Sequence, residues 1–448
     1  MPARGLRSLR TFLQCWRPAL TAPGFERFLV LFAGWVVTAG THAVTEALVM
    51  TAVAGLTHHE AFHRFFSRGT WDPDTVGRLL FHKLLPLVPQ GRPIPAVIDD
   101  TLAPKKGPHV FGIASHIDAV RSTKNRKVFS FGHCWVVLSI LVKLPFSSRA
   151  WALPVLFRLY RSKKECAQAG DECRRKTQLA REMVDLLAGW VGERVIHLTG
   201  DVAYCCDTLT AGLPINVLLT GAMRLDAVLH APLDPNAATA RGRPRKKGNL
   251  LPKPRTLAEN VAVPWESCEA DLNGKLRVVQ FKAFTGLWHR ACGARLLKIV
   301  VVRCLDGTIP FRVFFSMDTT LTVPELLGVY SRRWSIEVLF RELKQLFGFA
   351  DSSARKKAAV LRVAPFVGLC YTTLVLWCSS SADALKLAAP PPRPWYRHKR
   401  NLSAADLLRA ARRATGHEPL TRSPFKTSNF AHPRRHRDTR QRALAFSP

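Results

Sequence analysis

Acidic residues are scarce in this chain of 448 residues: 32 Asp and Glu stand against 66 Lys and Arg, a formal net charge of +34. That imbalance favours a polyanionic partner, either nucleic acid or an anionic membrane surface. The basic excess recurs at 121–127 (RSTKNRK), 241–247 (RGRPRKK), 331–344 and 393–441 rather than in one tail. A spread of this kind favours nucleic acid, bound with counterion release and steep salt dependence. Paired cysteines are also missing. The 11 Cys are odd in number and form no CxxC pair, and the adjacent Cys205 and Cys206 cannot make an ordinary bridge. This excludes a zinc site built from short-spaced pairs and fits a reducing compartment, with Cys as small core residues. The charged start and small-residue cleavage site of a signal peptide are not assembled. The apolar stretch from Phe28 to Leu56 is interrupted or flanked by His42, Glu46, His58 and His59, and weakened by Gly34, Gly40 and Gly55. It reads as buried soluble helices rather than a membrane span. A further apolar run, 364–378, is short for a span, and no internal repeat is present.

The hydrophobic content of 47% is enough for one large core or two to three domains. Residues 1–92 read as a helical domain, suited either to DNA binding or to plain packing. Phe62, Phe65 and Phe66 stand at helical spacing, and Asp74 is placed to cap a helix through VGRLLFHKLL. From residue 93 the pattern changes. PIPAVIDD is a short apolar strand whose C-terminal end carries Asp99 and Asp100. Residues 134–144 and 151–160 read as two more strands, 176–190 as a helix, and 192–201 as a strand ending in Asp201. A strand at 215–224 follows, so 93–224 predicts the first part of a mixed sheet flanked by helices. Residues 225–320 break the rhythm with Pro- and Gly-rich linkers and strand-like runs at 296–304 and 311–318, an inserted, mostly β subdomain. Helices at 323–347 and 355–378 place the second part of the core at 321–385. A basic tail at 386–448 includes a helix near 403–414.

The segment YSRRWSIEVLFRELK carries the chemistry. Tyr330, Arg333, Glu337 and Lys344 fall at relative positions 0, +3, +7 and +14, within roughly a 60° arc of one helix. A carboxylate on that face can bind a hard cation, and the Arg and Lys can hold phosphates beside it. Glu342 lies on another face. Trp334, Ile336, Val338, Leu339 and Phe340 make the helix largely apolar, which argues against a merely solvated charged surface. Acids at the ends of apolar strands, Asp99 or Asp100 and Asp201, beside Glu337 would make a site for two divalent ions. Such a pair activates a water or 3′-hydroxyl and stabilises the leaving oxygen in phosphoryl displacement.

The spacing Y-x2-R-x3-E-x6-K resembles the YREK signature of bacterial insertion-sequence DDE transposases of the insertion-sequence-four superfamily. VIDDTLAPKKG resembles that superfamily's first-Asp block, DAVRSTKNRKVFSFGHCWVVL the segment after it, and GDVAY the second-Asp block, so the resemblance covers roughly 93–350. It implies an α/β fold: a ribonuclease H-like mixed sheet with the β insertion ahead of the helix carrying Glu337. It implies metal-dependent cleavage at transposon ends and strand transfer into target DNA. Two Mg²⁺ ions, replaceable by Mn²⁺, would be held by Asp99, Asp201 and Glu337, with Asp100 the alternative to Asp99. Tyr330, Arg333 and Lys344 would complete the catalytic set. The partners implied are the terminal inverted repeats and target DNA, with a dimer on DNA and no membrane, in a bacterial cytoplasm at the nucleoid. Candidate DNA contacts are Lys105, Lys106, Arg121 and Lys127, each equally readable as surface charge, and Arg241, Arg243, Arg245 and Lys246, an AT-hook-like run or a basic linker. Trp288 is either a stacking platform for a flipped base or core packing. His133 reads as a structural histidine. The alternative functions are an inactive DNA-binding derivative of a transposase and a membrane-associated protein built around 28–56.

Overall fold

Ile94, Ala96, Val97 and Ile98 have no exposed side-chain surface, as a strand covered on both faces requires. They open β1 (Ile94–Pro104), the centre of a computed structural model that describes residues 2–107, 109–118, 120–123, 125–233, 245–272, 274–304, 311–390 and 399–416. On one side β1 pairs antiparallel with β3 (Phe129–Leu144), which in turn pairs with β2 (Ala114–Ile117) and β4 (Ser147–Tyr160). On the other side it pairs parallel with β5 (Ile196–Gly200), and β5 pairs parallel with β6 (Val217–Met223). The chain then adds β10 (Arg312–Ser316), β9 (Leu296–Arg303), β8 (Lys275–Leu287) and β7 (Glu266–Leu272) to the edge of β6, completing one 10-stranded mixed sheet. The segment expected as an inserted subdomain is β-rich, but its strands continue the central sheet instead of forming one of their own. Val313 to Ser316 pair with Met223 to Thr220, and that ladder joins the two regions.

The first acidic strand also runs further than expected. Asp99 and Asp100 do not end β1, because its ladder with β3 continues to Pro104 opposite Gly132. The ladder with β5 stops at Val97 opposite Thr199. The two acids therefore sit where β1 outruns its parallel neighbour and one edge of the strand opens.

Among the described residues five α-helices precede the sheet: α1 (Pro2–Leu13), α2 (Ala22–Val37), α3 (Val44–Met50), α4 (Glu60–Ser67) and α5 (Pro73–Leu84). The cap of α5 is Asp72, which accepts from Thr75 N at 2.8 Å, and not the expected Asp74. Asp74 instead receives both terminal nitrogens of Arg158 at 2.7 Å, while Arg158 Nε reaches Glu182 at 2.7 Å. This ties α5, β4 and the later helix that carries Glu182 together. Along the chain follow α6 (Lys163–Ala169), α7 (Lys176–Val191), α8 (Asp207–Thr210), α9 (Pro254–Glu259), α10 (His289–Cys292), α11 (Val323–Ser331), α12 (Trp334–Leu346), α13 (Lys357–Ser380), α14 (Ala382–Ala388) and α15 (Ala404–Thr415).

The N-terminal helices share one core with α13. Phe366 of α13 lies 6.3 Å from Phe28, 5.3 Å from Trp35, 6.1 Å from Phe65 and 5.2 Å from Phe66 between ring centroids. At 24 residues, α13 lies within two residues of the helix expected at 355–378 and is long and apolar enough to cross a membrane by length and composition. Its most apolar window is 89% buried inside the protein, so packing accounts for its hydropathy. The basic α15 is docked as well: Arg412 donates to Val36 O and Thr38 O, and Arg413 donates to Leu387 O.

Burial holds His133 and His197 neutral, each with its pKa lowered to about 4. His133 shares a hydrogen bond with Phe111 O and His197 with Thr220 Oγ1, as structural histidines do. Between that value and the unfolded value near 6.5, the unfolded chain binds more protons than the folded one. Their contribution is therefore complete above pH ~6.5 and is lost as pH falls through about 4. The two together steepen acid destabilisation by up to about 2.7 kcal/mol per pH unit. Urea midpoints measured from pH 7 to 4.5 should fall accordingly, and His197→Gln should flatten the slope. An unchanged slope in that variant would mean His197 is not buried in its neutral form.

Candidate active site

The expected single helix at 323–347 is interrupted by a turn at Arg332 and Arg333. At the junction of α11 and α12 the hydrogen bonds tighten to i→i+3, with Arg333 N bonding Tyr330 O at 3.0 Å and Ile336 N bonding Arg333 O at 3.0 Å. Arg333 is thus the N-cap residue of α12, and Glu337 lies in its first turn, where the helix dipole favours a negative charge. Tyr330 closes α11, with its ring centroid 5.8 Å from the Arg333 guanidinium.

Arg333 brings the distant acids together. Its Nη1 donates to Asp99 Oδ2 at 2.9 Å and its Nη2 to Glu337 Oε1 at 2.8 Å, joining residues 234 positions apart. Asp99 is pushed up to about 7, first by burial and then by the Asp201 carboxylate, against the opposing pull of Arg333. Asp201, just past the end of β5, accepts from Ala203 N at 2.9 Å and Tyr204 N at 3.3 Å. Arg333 thus joins Asp99 to Glu337 beside the open edge of β1, and the Asp201 carboxylate lies near enough to Asp99 to act on its charge. Among the described residues no three His, Cys, Asp or Glu side chains are grouped closely enough to hold a metal ion as they stand. The Arg333 guanidinium occupies the space between Asp99 and Glu337. The donor chemistry nonetheless fits a hard divalent cation: oxygen ligands only, with mutually repelling charges.

Adjacent strand residues point to opposite faces, and the two neighbouring aspartates separate accordingly. Asp100 faces α7, where it receives Lys176 Nζ at 2.6 Å, Tyr204 Oη at 2.9 Å and Cys134 Sγ at 3.3 Å. It is fully engaged there, and Asp99 is the aspartate that faces Glu337. The Tyr204 bond also braces the site, because Tyr204 shares the Asp201 turn while Asp100 is the neighbour of Asp99. Tyr204→Phe should lower stability by about 1.5 kcal/mol, the worth of a hydrogen bond to a charged group. Urea unfolding measures this, and a loss near zero would deny the brace. Lys176, Cys134 and this role of Tyr204 were not legible in the sequence, although Tyr204 lies in the GDVAY block.

The remaining candidates scatter. Lys344 is on α12, its pKa lowered by burial, with Asp118 and Cys134 pulling the other way. Lys105 is turned inward: its ammonium donates to Ala350 O at 2.7 Å and to Ser352 O, so it braces the turn after α12 instead of facing DNA. Lys106, Arg121, Lys127, Arg245 and Lys246 are exposed. Arg241 and Arg243 lie outside the described residues. Trp288 is half-buried with its ring edge-on to Phe315 at 5.5 Å, the packing alternative. Glu342 is buried, accepting from Arg149 at 3.0 Å and Tyr371 Oη at 2.7 Å, on a different face of α12 from Glu337.

Residues 18–280, more than half of the chain, match the family described as DDE superfamily endonuclease, a span that includes Asp99 and Asp201. The chain belongs to the DDE superfamily of endonucleases. Residues 292–382, which include Glu337, match the family described as archaeal putative transposase ISC1217. No curated protein matches the chain. Its similarity to a solved structure, the cryo-EM structure of a piggyBac transposase synaptic complex with hairpin DNA, has a TM-score of 0.41 at 10% identity. That alignment covers 92% of this chain and 76% of the other.

Proposed function

We propose that this DDE endonuclease is a DNA transposase that cuts the ends of its own element and joins them to target DNA. The observation that carries the reading is that Arg333 joins Asp99 to Glu337, from distant parts of the chain, with Asp201 near enough to Asp99 to raise its pKa. The strand sequence β4-β3-β1-β5-β6, with β3 antiparallel to its neighbours and β1, β5 and β6 parallel, supports the ribonuclease H-like core that the YREK resemblance implies.

Asp99, Asp201 and Glu337 would hold two Mg²⁺ ions, with Mn²⁺ able to substitute. When bound, these supply activation of the attacking oxygen and stabilisation of the leaving one. The protein's own contribution is positioning. Arg333 and Lys344 engage phosphates on either side of the reacting one, and Tyr330 orients the Arg333 guanidinium through its ring face. Arg333 must release a carboxylate to reach phosphate, so DNA and the carboxylates compete for one guanidinium. The basic surface supplies affinity for the terminal inverted repeats and target, bound by a dimer that brings two ends together in a bacterial cytoplasm at the nucleoid.

The test is direct. Purified protein with Mg²⁺ or Mn²⁺ should nick DNA carrying the inverted repeats that flank its gene, and chelation should stop it. Binding without nicking under every metal condition would favour the alternative, a DNA-binding protein derived from a transposase.

A further inference from the structure

Among the described residues, the hairpin of β2 and β3 presents an exposed apolar face. Ile117 is 52% exposed, Phe129 61% and Phe131 65%. The register pairs Ile117 with Phe129 and Ser115 with Phe131, so all three apolar side chains share one face of the hairpin. Contiguous exposed apolar surface of this kind marks an interaction site more often than chance.

That face is also the face of Asp99. Asp99 pairs with Val137 of β3, and residues an even number apart along a strand point the same way, so Val137, Phe131 and Phe129 lie on one side of the sheet. Six residues separate Val137 from Phe131, roughly 20 Å along the strand. At about 3.4 Å per base pair that is about six base pairs from the acidic site. The loop between β2 and β3 exposes Arg121, Arg126 and Lys127, with Arg121 also 3.8 Å from the Asp118 carboxylate. Asp118 organises this loop: its Oδ1 accepts from Val120 N at 3.1 Å and Arg121 N at 3.2 Å, and its Oδ2 from Ser130 Oγ at 3.1 Å. A built loop with cations beside aromatic side chains is complementary to phosphates flanking bases.

We propose that the β2–β3 hairpin is a DNA-deforming contact: Phe129, Phe131 and Ile117 wedge against a base step, and Arg121, Arg126 and Lys127 hold the flanking phosphates. The inference rests on DNA being the substrate and adds where, and by what chemistry, the duplex is bent relative to the cut. Inserted apolar side chains of this type must unstack one step, and a step already weakened is preferred.

The full chain is tested by fluorescence anisotropy on a duplex of about 30 base pairs, fully paired or with a central two-base mismatch. The wild type should bind the mismatched duplex about 10-fold more tightly, since the unstacking cost is already met. Phe129→Ser with Phe131→Ser, both at exposed positions, should erase that preference while affinity for the paired duplex stays within about twofold. Arg121→Ala, Arg126→Ala and Lys127→Ala together should make the slope of log K against log salt shallower by about 2–3. A double Phe variant that keeps the mismatch preference overturns the proposal. So does one that loses self-association by sedimentation while its DNA preference persists, because the face would then join two copies of this chain. A wild type that binds neither duplex at low salt would sink the transposase reading itself, a different result from either.

Discussion

Glu337→Gln and Asp201→Asn each lower strand cleavage by about 10³-fold or more, the scale on which one member of a cooperating catalytic group acts. Affinity for end DNA stays nearly unchanged, because binding rests on the cations of the surface and these substitutions remove no cation. The structure makes the two losses comparable. Asp201 is close enough to Asp99 to raise its pKa, and Glu337 shares Arg333 with Asp99, so each substitution acts on a neighbour of Asp99. Neither is expected to unfold the protein. The Glu337 side chain is 36% exposed, and removing one negative charge from a repelling cluster lowers that repulsion. The measurement is nicking of end-bearing DNA beside an anisotropy binding curve. If either variant cut at the wild-type rate, the assignment of the site would be wrong. Arg333→Ala should differ from both, weakening phosphate engagement and strand transfer together.

The second large effect concerns the other glutamate of the same helix. Glu342 is only 6% exposed and accepts hydrogen bonds from Arg149 and from the buried Tyr371 hydroxyl. Glu342→Ala would leave the Arg149 guanidinium without its carboxylate and the Tyr371 hydroxyl without an acceptor, and breaking a buried pair in this way costs about 3–5 kcal/mol. The urea midpoint should drop correspondingly, while Glu337→Ala leaves it close to wild type. Two glutamates five residues apart would thus separate cleanly, one by activity and one by stability. Equal midpoints for the two variants would show that Glu342 does not hold α12 to the sheet.

Much of the site was legible because its signals are local. The Tyr330, Arg333, Glu337 and Lys344 spacing fits one helix face, and Asp99 and Asp201 follow apolar runs of strand character. Two of the local expectations at the site failed, each for its own reason. The YREK segment is broken into two helices at Arg332 and Arg333, which wheel periodicity does not register. Lys105 looks like a free cation in a basic loop, yet it caps backbone carbonyls 245 and more residues away.

The charge excess, the missing cysteine pairs, the periodicities and the three acidic blocks depend on side-chain identity and short spacing, and from those alone came a basic DDE-type enzyme on a mixed α/β scaffold. Only the folded chain decided which of two adjacent aspartates faces Glu337, that the β-rich insertion extends the central sheet, and that Arg333 joins Asp99 to Glu337. Each of these depends on strand pairing and on contacts between residues tens to hundreds of positions apart. Such contacts follow from the free energy of the whole packed arrangement and leave no mark in the spacing of neighbouring residues.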